Sequence, residues 1–382
     1  MRARGGVMRF DTRLVHVGQE PAQGTGDVSP PLHLTSTYAH GAQVQPAYFY
    51  ARGENPTREA LERALAALEE VRFATVFPSG QAAGATALAT LAGAGRAIVS
   101  DDVYGGTHAL LTSFGLDVRV VDLADPTAVA EVFADPWADD ALVWVETPTN
   151  PTLKVADVAE VSRRAHARGC VVLVDNTLAG PVFQQPLRWG ADVTLYSTTK
   201  SVAGHLDVLG GALVHDRADL HELFVTHRTT TGSVPSPFDC FLVHRGLKTL
   251  SLRTVRQAAT AEKLAAALRE SPHVGEVRYP GLPDHPGHTL ATRQMSGFGP
   301  VLGFRYRGDV AALLRRSRYF TDAVSFGGVR SLAQCPAATT HRSVPTDLRE
   351  RLGITDDLVR LSVGIEDPAD LLEDLMGALD PA

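Results

Sequence analysis

The sequence runs to 382 residues, 44% hydrophobic and 21% charged, with a formal net charge of −7. That length exceeds what one hydrophobic core usually organises, so a large and a smaller domain are expected, and the acidic balance gives no general attraction to nucleic acid or membrane surfaces. Three scattered cysteines, Cys170, Cys240 and Cys335, exclude a disulfide framework and point to a reducing, cytoplasmic setting, with small molecules or further copies of the chain as partners.

The first residues are basic but no apolar stretch follows, and no apolar run long enough to span a bilayer occurs, so neither a leader nor a membrane helix is expected. Patterned sequence begins at Asp11, which leaves the first seven residues as an expected unstructured lead and Met8 as a candidate second start. Residues 11–50 are rich in Gly, Pro, Thr and His without a sustained period, so residues 1–55 read as an extended arm that must pack on something else. At Asn55 the signals change: Asn55 can cap, Pro56 suits the first helical position, and Leu61, Leu65 and Leu68 fall on one face. Apolar runs at 74–77, 97–99, 118–121, 141–145, 171–174 and 191–195 then alternate with helical stretches. Such runs are buried parallel strands, and the alternation predicts an α/β layered domain over 56–245 with a mainly parallel sheet. From Arg245 a helical pattern runs to about Glu270, after which strands and helices mix, so 246–382 is read as a smaller C-terminal α+β domain.

Three strand ends carry candidate chemistry. The segment Tyr196-Ser197-Thr198-Thr199-Lys200 puts a lysine behind hydroxyls at the carboxyl end of a strand, where α/β sheets bind ligands. A lysine condenses with an aldehyde, and burial makes it nucleophilic near neutrality; Ser197 and Thr199 suit a phosphate. A solvated lysine is the commoner outcome for that residue type, and its company argues otherwise. Asp175 ends a second apolar strand 25 positions earlier, and a buried carboxylate there needs a cationic partner such as a protonated pyridine nitrogen. Pro78-Ser79-Gly80-Gln81 opens a helix after a third strand, a weak signal alone but a phosphate site in principle. No dinucleotide-binding glycine fingerprint and no P-loop occurs; His221 and His227 fall on different helix faces and no H-E-x-x-H is present, so no metal site is expected.

With these segments together, the chain resembles the Cys/Met-metabolism family of pyridoxal 5'-phosphate (PLP) enzymes, which includes cystathionine γ-lyase, γ-synthase and β-lyase and methionine γ-lyase. The matching segments are Tyr50-Ala-Arg52-Gly-Glu-Asn55-Pro56, Asp101-Asp102-Val-Tyr104-Gly105-Gly106, Glu146-Thr-Pro-Thr-Asn150-Pro151, Asp175-Asn-Thr177, Tyr196-Ser-Thr-Thr-Lys200, Arg245-Gly-Leu-Lys248 and Arg360-Leu-Ser-Val-Gly-Ile-Glu366. The resemblance implies a fold-type I, aminotransferase-like architecture and a homotetramer built as a dimer of dimers. It makes Lys200 the Schiff-base lysine, Asp175 the ring-nitrogen partner, and Gly80, Gln81, Ser197 and Thr199 the phosphate cradle. Tyr50 and Arg52 match a pair that reaches the neighbouring subunit's phosphate. Tyr104 matches the stacking, proton-transferring aromatic, Asn150 and Thr177 ring contacts, and Arg360 with Ser325 the grip on a substrate α-carboxylate.

Departures shape the expected substrate. Relatives that handle cystathionine often carry polar or charged residues where this chain has Phe49, Ala109 and Val324, and Arg330 stands where glutamate is common. A small, weakly polar amino acid is therefore the expected guest, since unpaired polar groups are costly to bury. The expected activity is a PLP-dependent lyase eliminating a γ-substituent, with Lys200 moving protons and Tyr104 serving the leaving group. The alternatives are γ-replacement on an activated homoserine, a specialised lyase forming an unsaturated or alkynyl amino acid from a halogenated precursor, and a non-catalytic PLP-binding protein.

Overall fold

The computed structural model describes residues 8–21, 25–40, 47–342, 344 and 346–380, so the expectation for the first seven residues lies outside it. Asn55 starts the first long helix: its side chain accepts from the N–H groups of Thr57 and Arg58 at 2.9 and 3.2 Å, and Pro56 fills the first position. The helix Pro56–Leu68 buries Leu61, Leu65 and Leu68 as predicted. The arm before it is not wholly extended, because residues Phe10–His16 form a helix that inserts Leu14 into the same cluster.

All six anticipated strands are present: β1 (Phe73–Phe77), β2 (Arg96–Ser100), β3 (Asp117–Val121), β4 (Leu142–Glu146), β5 (Val171–Asp175) and β6 (Val193–Tyr196). A seventh, β7 (Gly211–His215), was not anticipated and lies antiparallel between β1 and β6. The sheet order is β1-β7-β6-β5-β4-β2-β3, parallel from β6 to β3. Its central strands are buried on both faces, which is why they read as unbroken apolar runs.

After the 21-residue helix Leu250–Glu270, a second sheet of β8 (Val274–Arg278), β9 (Val301–Tyr306), β10 (Thr321–Asp322), β11 (Leu332–Gln334) and β12 (Leu358–Ser362) runs in the order β10-β11-β12-β9-β8. Only β10 and β11 pair in parallel. Its core, built on Leu302, Phe304, Val359 and Leu361, is separate from the clusters around the first sheet. The carboxyl ends of β1, β2, β4, β5 and β6 converge on one cavity, and the second sheet contributes its far wall.

Candidate active site

The cavity has a volume of about 640 Å³. One side is the head of the helix Gly80–Leu91, where Ser79 caps by accepting from Ala82 N–H at 3.1 Å. The N–H groups of Gly80 and Gln81 find no acceptor among the described residues, as the first turn of a helix dictates, and so can serve an anion. A Cβ at Gly80 would lie 2.9 Å from Ser197 Cβ, so glycine is what lets the two segments close into a cradle. Ser197 is fixed from behind by its N–H donating to Thr177 Oγ1 at 2.9 Å. Thr199 also lines the cavity, but its hydroxyl is exchanged with Gly210, accepting from its N–H at 3.0 Å and donating to its carbonyl at 3.2 Å.

Asp175, at the end of β5, accepts from Thr177 N–H at 3.0 Å and has no ion-pair partner among the described residues. Burial pushes its carboxyl up to about 6. A buried acid without a cation is an incomplete arrangement, and a cationic ligand group would complete it. Lys200 donates to Ser325 Oγ at 3.0 Å. Burial, and secondarily the Arg360 charge, lowers its ammonium to about 8, so a neutral amine is accessible near neutrality.

Arg360 comes from β12 and is 2% exposed. It donates to Asn150 Oδ1 at 2.8 Å and to the Ser325 carbonyl at 2.7 Å; both acceptors are neutral. Burial lowers its pKa to about 10. A planar guanidinium buried without an anion is matched to a carboxylate. Ser325, which contacts both cations, has φ of 95°, a left-handed conformation that a serine holds only when its surroundings enforce it. Tyr104 heads the helix Gly105–Phe114 beside the cavity, and a Cβ at Gly106 would fall 2.4 Å from its ring.

Of the residues singled out in the sequence, the structure thus gathers Gly80, Gln81, Tyr104, Asn150, Asp175, Thr177, Ser197, Thr199, Lys200, Val324, Ser325 and Arg360 around one space. It does not bring Tyr50, Arg52, Phe49 or Ala109 there. Arg52 donates to the Thr229 carbonyl at 2.7 Å, Phe49 is 71% exposed and rests on His40, and Ala109 is exposed. Arg330 faces Thr321 Oγ1 at 3.3 Å instead of the cavity. Sequence reading gave no role to two further charged lining residues, Glu146 and Arg342. Glu146 stood inside the quoted Glu-Thr-Pro-Thr-Asn-Pro segment; nothing local in the sequence marked Arg342. A larger groove of about 890 Å³ passes Lys154 and Arg278, but its charges already neutralise one another: Lys154 pairs with Asp101 and Asp122, both at 2.7 Å, and Arg278 with Glu276 at 2.9 Å.

The model of the Cys/Met metabolism PLP-dependent enzymes matches residues 11–380. The chain belongs to that family. It is 46% identical over 384 residues to the cystathionine gamma-synthase of Mycobacterium tuberculosis, covering 98% of this chain and 97% of that protein. It is 43% identical over 383 residues to human cystathionine gamma-lyase, covering 98% and 94%. Among solved structures, CalE6 of Micromonospora echinospora, described as a cystathionine gamma lyase, superposes with a TM-score of 0.94 at 58% identity, covering 97% of this chain and 99% of that one. The same protein in its apo form is described as a methionine gamma lyase. The chain is therefore a PLP-dependent enzyme acting on small amino-acid substrates, and the unpaired Asp175, the phosphate-ready helix head and the partly neutral Lys200 fit that cofactor.

Proposed function

We propose that the enzyme eliminates the γ-substituent of a small amino acid, breaking a carbon–sulfur or other carbon–heteroatom bond. The observation that carries this reading is the join of Lys200 to Arg360 through the single residue Ser325, which sets a proton-moving amine beside a carboxylate fork. Gly80, Gln81 and Ser197, with Thr199 once it leaves Gly210, would hold the phosphate, Asp175 the ring nitrogen, and Tyr104, Asn150 and Thr177 the ring. When bound, PLP supplies the electron sink that stabilises charge at the substrate carbons. Arg360 grips the α-carboxylate. Lys200 takes the Cα proton as a neutral amine and redelivers protons along the chain of carbons. Tyr104 donates a proton to the leaving group. Water as the next reactant makes the enzyme a lyase; an added thiol makes it a synthase.

Further parts of the reading concern assembly and setting. Residues 1–55 would act as an arm, 56–245 as the cofactor domain and 246–382 as the C-terminal domain, in a dimer of dimers whose arms carry Tyr50, Arg52 and Phe49 to the neighbouring subunit. The three cysteines are free and buried, which supports a reducing cytoplasm, and no described helix is long and apolar enough to cross a membrane. The test is to offer purified holoenzyme cystathionine, methionine and small homoserine esters and to measure ammonia and 2-oxo acid. Release abolished by Lys200→Ala is expected. With Val324 apolar, a substrate lacking a second ammonium should exceed cystathionine in kcat/KM by about tenfold. Products formed only with added thiol would instead establish replacement.

A further inference from the structure

Glu146 is 5% exposed at the end of β4, on a strand buried along its whole length. Strand register sets it directly opposite Asp175 on β5, so two acids share the floor of one cavity. Its own N–H donates to Ser100 Oγ at 3.1 Å, which ties it to the end of β2. Its carboxyl oxygen Oε2 accepts from Tyr104 N–H at 2.9 Å, and the Asn150 N–H faces the same group. The helix Gly105–Phe114 has no side-chain cap of its own. In a capping box, an acid three residues into the helix takes the N–H of the capping residue; here an acid from a distant strand does so.

The arrangement is costly. Burial, and next the charge of Asp175, raise the Glu146 carboxyl well above the usual carboxylate range. An apolar residue of similar volume would relieve both effects, and what it would forfeit is the acceptor for the Tyr104 N–H. We infer that Glu146 is a positioning residue that fixes Tyr104 over the cavity through the Tyr104 backbone N–H. This rests on the proposed reading, in which the Tyr104 hydroxyl moves a proton.

The test compares Glu146→Met, Glu146→Gln, Tyr104→Phe and their double variants. Met removes the acceptor, whereas Gln keeps it with the charge of a protonated acid. Glu146→Met is expected to lower kcat about tenfold with KM changed far less, as small misplacements of a reacting group do. It should also alter the circular dichroism of the bound cofactor and speed amide exchange at Tyr104, while the melting temperature of the apoprotein holds or rises. Glu146→Gln should recover most of each signal. In the Tyr104→Phe background the Met substitution should cost less than about threefold more, because neighbours acting through one group are not additive. Fully additive losses, unchanged exchange and dichroism in folded Glu146→Met, or a melting temperature that falls in step with activity would each overturn the inference. If Glu146→Met does not fold, Glu146→Ala replaces it. Wild-type enzyme that turns over no γ-substituted amino acid defeats the proposed reaction, and the exchange and dichroism measurements still decide the role of Glu146.

Discussion

Lys200 and Arg360 are two cations in one cavity with neutral hydrogen-bond partners, and the fold bears the cost of keeping them dry. For Lys200 the cost has a definite pH window, since its pKa falls from 10.5 to about 8 on folding. Between those values the unfolded chain binds more protons than the folded one, so this group makes stability rise with pH across the window and imposes its full penalty below it. Apoprotein carrying Lys200→Met should therefore be more stable than wild type near neutral pH, by roughly 3 kcal/mol at the upper limit for a shift of this size, and should melt higher. The gap should close as pH rises from 8 toward 10.5. Thermal scans of both apoproteins across that range check this; a gap independent of pH would show that packing, not ionisation, sets it. The placement of Asp175 and Lys200 at one cavity was legible in sequence because Asp175 closes one apolar strand and Lys200 follows the end of another by four residues. Glu146 was equally placed, but its role depends on Tyr104 N–H, 42 residues away, and no spacing rule encodes that contact.

At the scale of elements, strands and the first long helix were legible because burial on both faces and capping chemistry each leave a local signature. Two elements were not. β7 is a short apolar run that opens on Gly211, and its antiparallel insertion between β1 and β6 is a matter of pairing partners, which periodicity does not record. The helix Phe10–His16 is too short to show a period and owes its order to Leu14 packing on Pro56–Leu68. In the proposed reading the element that matters most for the cofactor is the head of Gly80–Leu91. Gly80→Ala favours the helix by intrinsic propensity, yet its Cβ meets Ser197 Cβ at 2.9 Å and Oγ at 3.1 Å, so Ser197 must withdraw. The expected outcome is a lowered melting temperature, because Ser197 is held by its N–H to Thr177, together with PLP affinity lowered about tenfold, read by titrating apoprotein with the cofactor. Equal affinity would mean that the phosphate does not sit between these two residues.

At the scale of the whole molecule, one chain does not supply everything that the resemblance assigns to one site. Tyr50 is 44% exposed, and Arg52 is spent on the Thr229 carbonyl with no anion among the described residues. Exposed apolar side chains accompany them: Phe49 at 71% on the arm and Leu209 at 64% on the cavity wall. Exposed apolar groups of this kind suit a surface that another chain covers. If the arm crosses to a neighbour, an Arg52→Ala subunit lacks the arm's cation in its partner's site but keeps its own lysine, and a Lys200→Ala subunit has the reverse defect. Mixed dimers then contain one site with both groups intact and one with neither. Unfolding and refolding the two inactive variants together, isolating the tagged heterodimer and measuring turnover should recover activity approaching half that of wild type per dimer, as one intact site of two requires. Heterodimers as inactive as their parents would place Arg52 and Lys200 in the same chain's site, and the arm would then have to fold back over its own cavity.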